Sequence, residues 1–148
     1  MIGFRHYLRI QFFASIPAMS NLRYCVRADD VAGYHPANHT GTLNRRLIGP
    51  ETVGAKQLEV VLGVVNKGRG AEPHAHPDIE QVCYILEGRA RVEVGGEAME
   101  LGVGDCCFFP ANEQHTFVAI SDAPVKVLVI YAPPYGENLA NVIKNART

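Results

Sequence analysis

Residues 58–65 are rich in β-branched apolar side chains, and residues 81–86, 89–94, 98–101, 106–109, 115–120 and 125–131 are further short, strand-like stretches. β-Branched and aromatic side chains suit a pleated, half-buried surface, so each stretch predicts a strand. In residues 89–94 the charged Arg89, Arg91 and Glu93 fall on one face and Ala90, Val92 and Val94 on the other, which gives that strand one wet side. Gly95 and Gly96 lie between two such stretches and predict a hairpin, while residues 66–73, rich in glycine and charge, predict a loop. Strands that recur every ~8–12 residues have the rhythm of a sandwich or barrel. Helical spacing occurs only in residues 137–146, where Leu139, Val142, Ile143 and Ala146 predict a short helix covering a barrel edge. Residues 22–48 are mixed and turn-rich, as expected of an arm that leads into a barrel or crosses to a partner.

Composition narrows the picture. A chain of 148 residues has room for one domain and excludes a separate cofactor domain. With 47% hydrophobic and 20% charged residues it can bury a core of its own. Fourteen basic residues against fifteen acidic ones give a net charge of −1, with no basic excess to neutralise a phosphate backbone, so nucleic acid is excluded as a partner. No stretch approaches the ~18–20 apolar residues of a membrane span. Residues 10–18 follow Arg5, His6 and Arg9 but match a secretory signal poorly, because Gln11 interrupts the apolar run. Residues 1–21 are therefore read as an extension with Met19 as an alternative start, 22–56 as an N-terminal arm, 57–131 as the barrel and 132–148 as a tail. Cys25, Cys83, Cys106 and Cys107 have neither the number nor the spacing of a disulfide scaffold, and are read as reduced, mostly buried thiols of a cytoplasmic protein.

Chemistry concentrates in two blocks. In the first, His74 and His76 project to the same face of an extended backbone, so two imidazoles can meet one metal ion. Pro73 and Pro77 bracket the pair and restrict the chain around it. A lone His-x-His is weak evidence, since a surface pair or a satisfied core histidine looks the same. In the second block Gly104 and Asp105 turn into an apolar strand that stops at Pro110, and His115 opens the next strand after a polar loop.

Together the blocks resemble the two motifs that define the cupin superfamily, in its small single-domain form. Gly68, His74, His76 and Gly88 fit the first motif and Gly104, Pro110 and His115 the second, with fifteen residues between Gly88 and Gly104. Three positions depart from the pattern. Gln81 stands where the family usually has glutamate, Asn112 replaces a glycine, and Ala119 replaces an asparagine. Asn tolerates the left-handed conformation, so Asn112 is expected to preserve the turn. The resemblance covers residues 57–131. It implies an all-β fold, the double-stranded β-helix or jelly-roll barrel, flanked here by the N-terminal arm and the short C-terminal helix. It also implies one divalent first-row transition ion (Mn, Fe, Co, Ni, Cu or Zn) held by His74, His76, Gln81 and His115, with the amide oxygen of Gln81 in place of the carboxylate. Glu80 is the alternative ligand; adjacent strand residues face opposite ways, so the two do not both bind.

Cys83, two residues beyond Gln81, and Phe117, two beyond His115, are expected to line the substrate pocket, and Tyr135 and Glu137 to reach its mouth. Tyr34, His35 and His39 read as a surface or interface group, and Arg45 and Arg46 as surface charge. The resemblance points to an enzyme of dioxygenase, isomerase or lyase type acting on a small oxygen-rich or aromatic substrate, in a homodimer. The alternative is a non-catalytic metal-binding or sensory module.

Overall fold

A computed structural model describes residues 23–144, so the readings placed on residues 1–22 and on Ala146 lie outside the described residues. Nine strands form one sheet: β1 (His39–Ile48), β2 (Glu59–Ala75), β3 (Glu80–Glu87), β4 (Ala90–Val94), β5 (Glu97–Leu101), β6 (Cys106–Phe109), β7 (His115–Ala119), β8 (Val125–Ala132) and β9 (Ile143–Lys144). The pairing order β5-β4-β7-β2-β8-β3-β6, with every pair antiparallel, curls the sheet into a nearly closed jelly-roll barrel. β1 adds to β2 along most of its length, so the arm enters the sheet as a strand.

Period-2 burial shows which face closes the core. Along β8 buried and half-buried positions alternate from Val125 to Tyr131, and along β2 they alternate from Glu59 to Val65. Val61, Ile85, Phe109 and Val125 are fully enclosed. Burial of such side chains contributes about 1.5–3 kcal/mol each before entropy is counted. On β4, Ala90 and Val92 are buried while Arg91 and Glu93 are exposed, as the alternation in sequence requires. Gly95 and Gly96 both have positive φ and turn β4 into β5.

Two elements differ from expectation. The stretch expected as a loop, residues 66–73, lies within β2. Residues 66–69 swing outward and are exposed, and pairing then resumes at Gly70 and Ala71 with β1 on one side and β7 on the other. Gly70 permits this: its φ is +146° and a Cβ there would lie 2.0 Å from the carbonyl oxygen of Phe117. The predicted C-terminal helix is the second correction. The chain makes one 3-10 turn, Leu139–Asn141, and then the short strand β9, which pairs with β2. Gly and Asn at positions 136, 138 and 141 are poor helix formers, and the open edge of β2 offers the backbone a ladder instead. Leu139 and Ile143 remain 66% and 48% exposed, so no apolar stripe is buried that would hold a helix in place.

All four cysteines are free, but only Cys83 is buried; Cys25 and Cys106 are exposed and Cys107 is intermediate, which corrects the expectation of mostly buried thiols. Arg45 and Arg46 have structural roles. Arg45 donates to the carbonyl of Val31, and Arg46 pairs with Glu51 and with the fully buried Glu59. No described helix is long and apolar enough to cross a membrane.

Candidate metal centre

β2 and β7 run side by side with His74 opposite His115, and His76 follows the end of β2. The register that Gly70 allows thus joins the two sequence blocks. His74, His76 and His115 are each buried, and their candidate ligand atoms all lie within 4.8 Å of one another. Ring centroids are 4.8 Å apart for His74 and His76 and 4.4 Å for His74 and His115.

Hydrogen bonds fix which nitrogen of each ring faces the others. The Nδ1 of His74 lies 2.6 Å from the carbonyl oxygen of Glu72, that of His76 2.8 Å from the carbonyl of Asn141, and that of His115 3.0 Å from the carbonyl of Glu113. A carbonyl only accepts, so each Nδ1 carries the proton and each Nε2 presents a lone pair. The Nε2 atoms of His74 and His76 then face each other at 3.2 Å, two acceptors with no proton between them. Nε2 of His115 and Oε1 of Gln81 are buried without any hydrogen-bond partner in the protein. Buried acceptors without donors are costly, and a cation shared among them removes that cost. The residues therefore fit a metal ion of the borderline class that imidazole and amide oxygen ligate.

Burial, with the neighbouring imidazoles adding to it, lowers the pKa of His115 to about 3 and that of His76 to about 4, and burial lowers that of His74. All three rings are neutral near pH 7, the state that ligates. Phe109 stacks on His115 at 4.4 Å with an interplanar angle of 19°, and Tyr135 packs on His76 at 4.7 Å, so the rings are clamped by aromatic neighbours.

Residues 61–131 match the family model described as the cupin domain. The chain is a cupin. Polyketide synthase CurC of Streptomyces cyaneus is 29% identical to this cupin over 107 residues, covering 72% of this chain and 70% of that protein. Among solved structures, the polyketide cyclase RemF from Streptomyces resistomycificus superposes with a TM-score of 0.64 at 26% identity, over 74% of this chain and 78% of that one. KdgF from Halomonas sp. superposes at 0.66 with 20% identity, over 76% of this chain and 96% of that one, and shares the fold.

Gln81 and Glu80 separate cleanly in this cupin. Gln81 is buried on the inner face of β3, whereas Glu80 is exposed on the outer face. The Nε2 of Gln81 donates to Sγ of Cys83 at 3.4 Å, which leaves Oε1 free. Cys83 and Phe117 line a narrow cavity of about 30 Å³ beside Gln81 and His115, as their two-residue offsets predict. Tyr135 does not: it is buried against the rings of His76 and Tyr131, off the cavity wall. Asn112 keeps the turn at φ +65° and its N–H donates to the carbonyl of His76 at 2.9 Å, so this departure from the family pattern supports the ligand loop.

The sequence did not reveal the contribution of β1. His39, Thr42 and Asn44 line the cavity, and the His39 ring lies 5.9 Å from that of His74. Thr42 and Asn44 share a face by strand parity, while His39 joins them across the bulge between Thr40 and Thr42, an irregularity that no motif in the sequence announces. Among the described residues, no Asp, Glu, Lys or Arg lines the cavity.

Proposed function

We propose that this cupin is a metal-dependent enzyme that binds one divalent first-row transition ion through His74, His76, Gln81 and His115. Its substrate would be a small oxygen-rich or aromatic organic molecule, and its reaction an oxygenation, isomerisation or lyase step. The observation that carries this reading is the set of neutral, buried acceptor atoms without donors: the facing Nε2 atoms of His74 and His76, Nε2 of His115 and Oε1 of Gln81. The names of two relatives, a polyketide synthase and a polyketide cyclase, support an oxygen-rich substrate.

When bound, such an ion supplies Lewis-acid polarisation of a substrate oxygen, and, for a redox-active metal, a route to dioxygen. Everything else falls to the chain. Four neutral donors leave the cation's charge uncompensated, which favours an enolate or phenolate over a neutral ligand. The wall presents no carboxylate, so a base from Asp or Glu of the lining is absent from this scheme. Val65, Phe117, Val127 and Val129 form the apolar part of the cavity wall, and Thr42, Asn44 and His39 a polar part that can orient a polar ligand by hydrogen bonds.

The narrowness of the cavity favours one alternative, a non-catalytic module that holds the ion and a small ligand. Assays of Fe-, Mn-, Ni-, Cu-, Co- and Zn-loaded protein on hydroxylated aromatics and linear polyketones, with and without oxygen, separate the two. Metal-dependent turnover that disappears in His115→Ala supports the enzyme. Ligand binding without turnover for every metal supports the module.

A further inference from the structure

Two of the three histidines have their tautomer set locally. The carbonyls that accept from His74 and His115 belong to Glu72 and Glu113, each two residues away on the same run of chain. His76 differs: its Nδ1–H donates to the main-chain carbonyl of Asn141, 65 residues further along. That carbonyl is the partner that sets which nitrogen of His76 carries the proton.

The segment that brings this carbonyl, residues 135–144, is held by two apolar anchors, the buried Tyr135 and the partly buried Val142, and by a set of polar contacts. Its Gly136 N–H donates to Oε2 of Glu59 at 2.8 Å, and Glu59, fully buried, is paired with Arg46 at 3.0 Å. Asn138 caps the 3-10 turn through the N–H of Ala140, and Nδ2 of Asn141 donates to the carbonyl of Tyr135. β9 then pairs with His74 and Ala75, so the segment also lies along the ligand-bearing end of β2. Tyr135 packs on the ring of His76, but Leu139 and Ile143 face solvent. With only Tyr135 and Val142 anchored in the core and Leu139 and Ile143 exposed, the segment has fewer buried apolar contacts than the barrel strands and opens more readily than they do.

We propose that residues 135–144 form a strap that completes the metal centre, with Asn141 as the positioning residue that holds His76 in its Nδ1–H tautomer. The proposal rests on the metal-binding reading above and extends it to a segment outside the cupin motifs. Because the strap orients one ligand, its docking and the binding of the ion are coupled, and linkage makes the coupling reciprocal: the ion shifts the equilibrium towards the docked strap by the same factor by which the docked strap tightens the ion. Loss of a partner that orients a metal-ligating histidine typically costs about 10–100-fold in affinity.

The test uses the full chain, its N138A/N141A double variant, and Leu139→Ser as an exposed control in the same segment. Zinc affinity is measured by chelator competition, amide exchange of residues 135–144 is followed with and without zinc, and histidine tautomers are read by nitrogen NMR on the metal-free proteins. The expected results are a fall of about 10–100-fold in zinc affinity for the double variant and little change for Leu139→Ser. Zinc slows exchange in the strap of the parent chain, and His76 alone loses its Nδ1–H tautomer in the double variant while His74 and His115 keep theirs. Unchanged affinity and an unchanged His76 tautomer in the double variant overturn the strap. So does zinc protection confined to β2 and β3. A parent chain that takes up no zinc sinks the metal reading and the coupling together, while the tautomer spectrum still decides whether Asn141 positions His76.

Discussion

Phe109 shows how one side chain serves both the core and the site. It is fully buried, it belongs to the core cluster, and its ring stacks on His115. Phe109→Ala is expected to destabilise the protein by about 3–5 kcal/mol, measured by urea unfolding, since it removes buried area and leaves a cavity. The same substitution frees the His115 ring to rotate. At this scale His74 and His76 were legible as a pair because His-x-His spacing on an extended chain puts two rings on one face, whereas His115 and Gln81 entered through the cupin resemblance, and the structure buries all four side chains. Tyr135 was placed in the pocket and instead packs on His76, because two prolines precede it and parity no longer sets its direction. His39 was read as part of a surface or interface group; its approach to His74 depends on the pairing of β1 with β2, which no local pattern encodes.

Among the elements, β2 organises the site. It pairs with β1, β7, β8 and β9, and its far end delivers His74 opposite His115. That delivery depends on Gly70, where a side chain would meet the backbone of β7. Gly70→Ala should therefore lower stability by more than the ~1 kcal/mol typical of a Gly-to-Ala change in the wrong conformation, and should disturb the His74–His115 register. Thermal unfolding of the metal-free protein, with zinc uptake measured in parallel, checks both effects. The strands with clear alternation or β-branched runs, β3 to β8, were legible to within a residue or two. The continuation of β2 through residues 66–73 was hidden by charged and glycine residues that the structure bulges outward. The C-terminal helix failed because apolar spacing alone cannot show whether a face finds something to pack on, and Leu139 and Ile143 do not.

Over the whole molecule, the net charge of −1 says little about function, because the electrostatics that matter are local: three neutral imidazoles in a buried cluster and a cavity wall that, among the described residues, holds no Asp, Glu, Lys or Arg. The lowered pKa values of His76 and His115 have a consequence for the metal-free protein. Below pH 6.5 the unfolded chain binds protons that the folded one refuses, so the stability these residues contribute is fully present above about 6.5 and is lost as pH falls towards 4 and 3. Urea midpoints of the metal-free protein between pH 8 and 4 are expected to fall on the acid side, and a midpoint that rises there contradicts the buried, neutral assignment. The most direct test of the central claim is calorimetric titration of the metal-free protein with a divalent first-row ion, run beside His115→Ala, Gln81→Ala and Glu80→Ala. The account predicts one ion per chain, binding abolished in His115→Ala, weakened in Gln81→Ala and unchanged in Glu80→Ala. Binding that survives in Gln81→Ala but is lost in Glu80→Ala contradicts the ligand set, and a parent chain that binds no ion contradicts the metal centre itself.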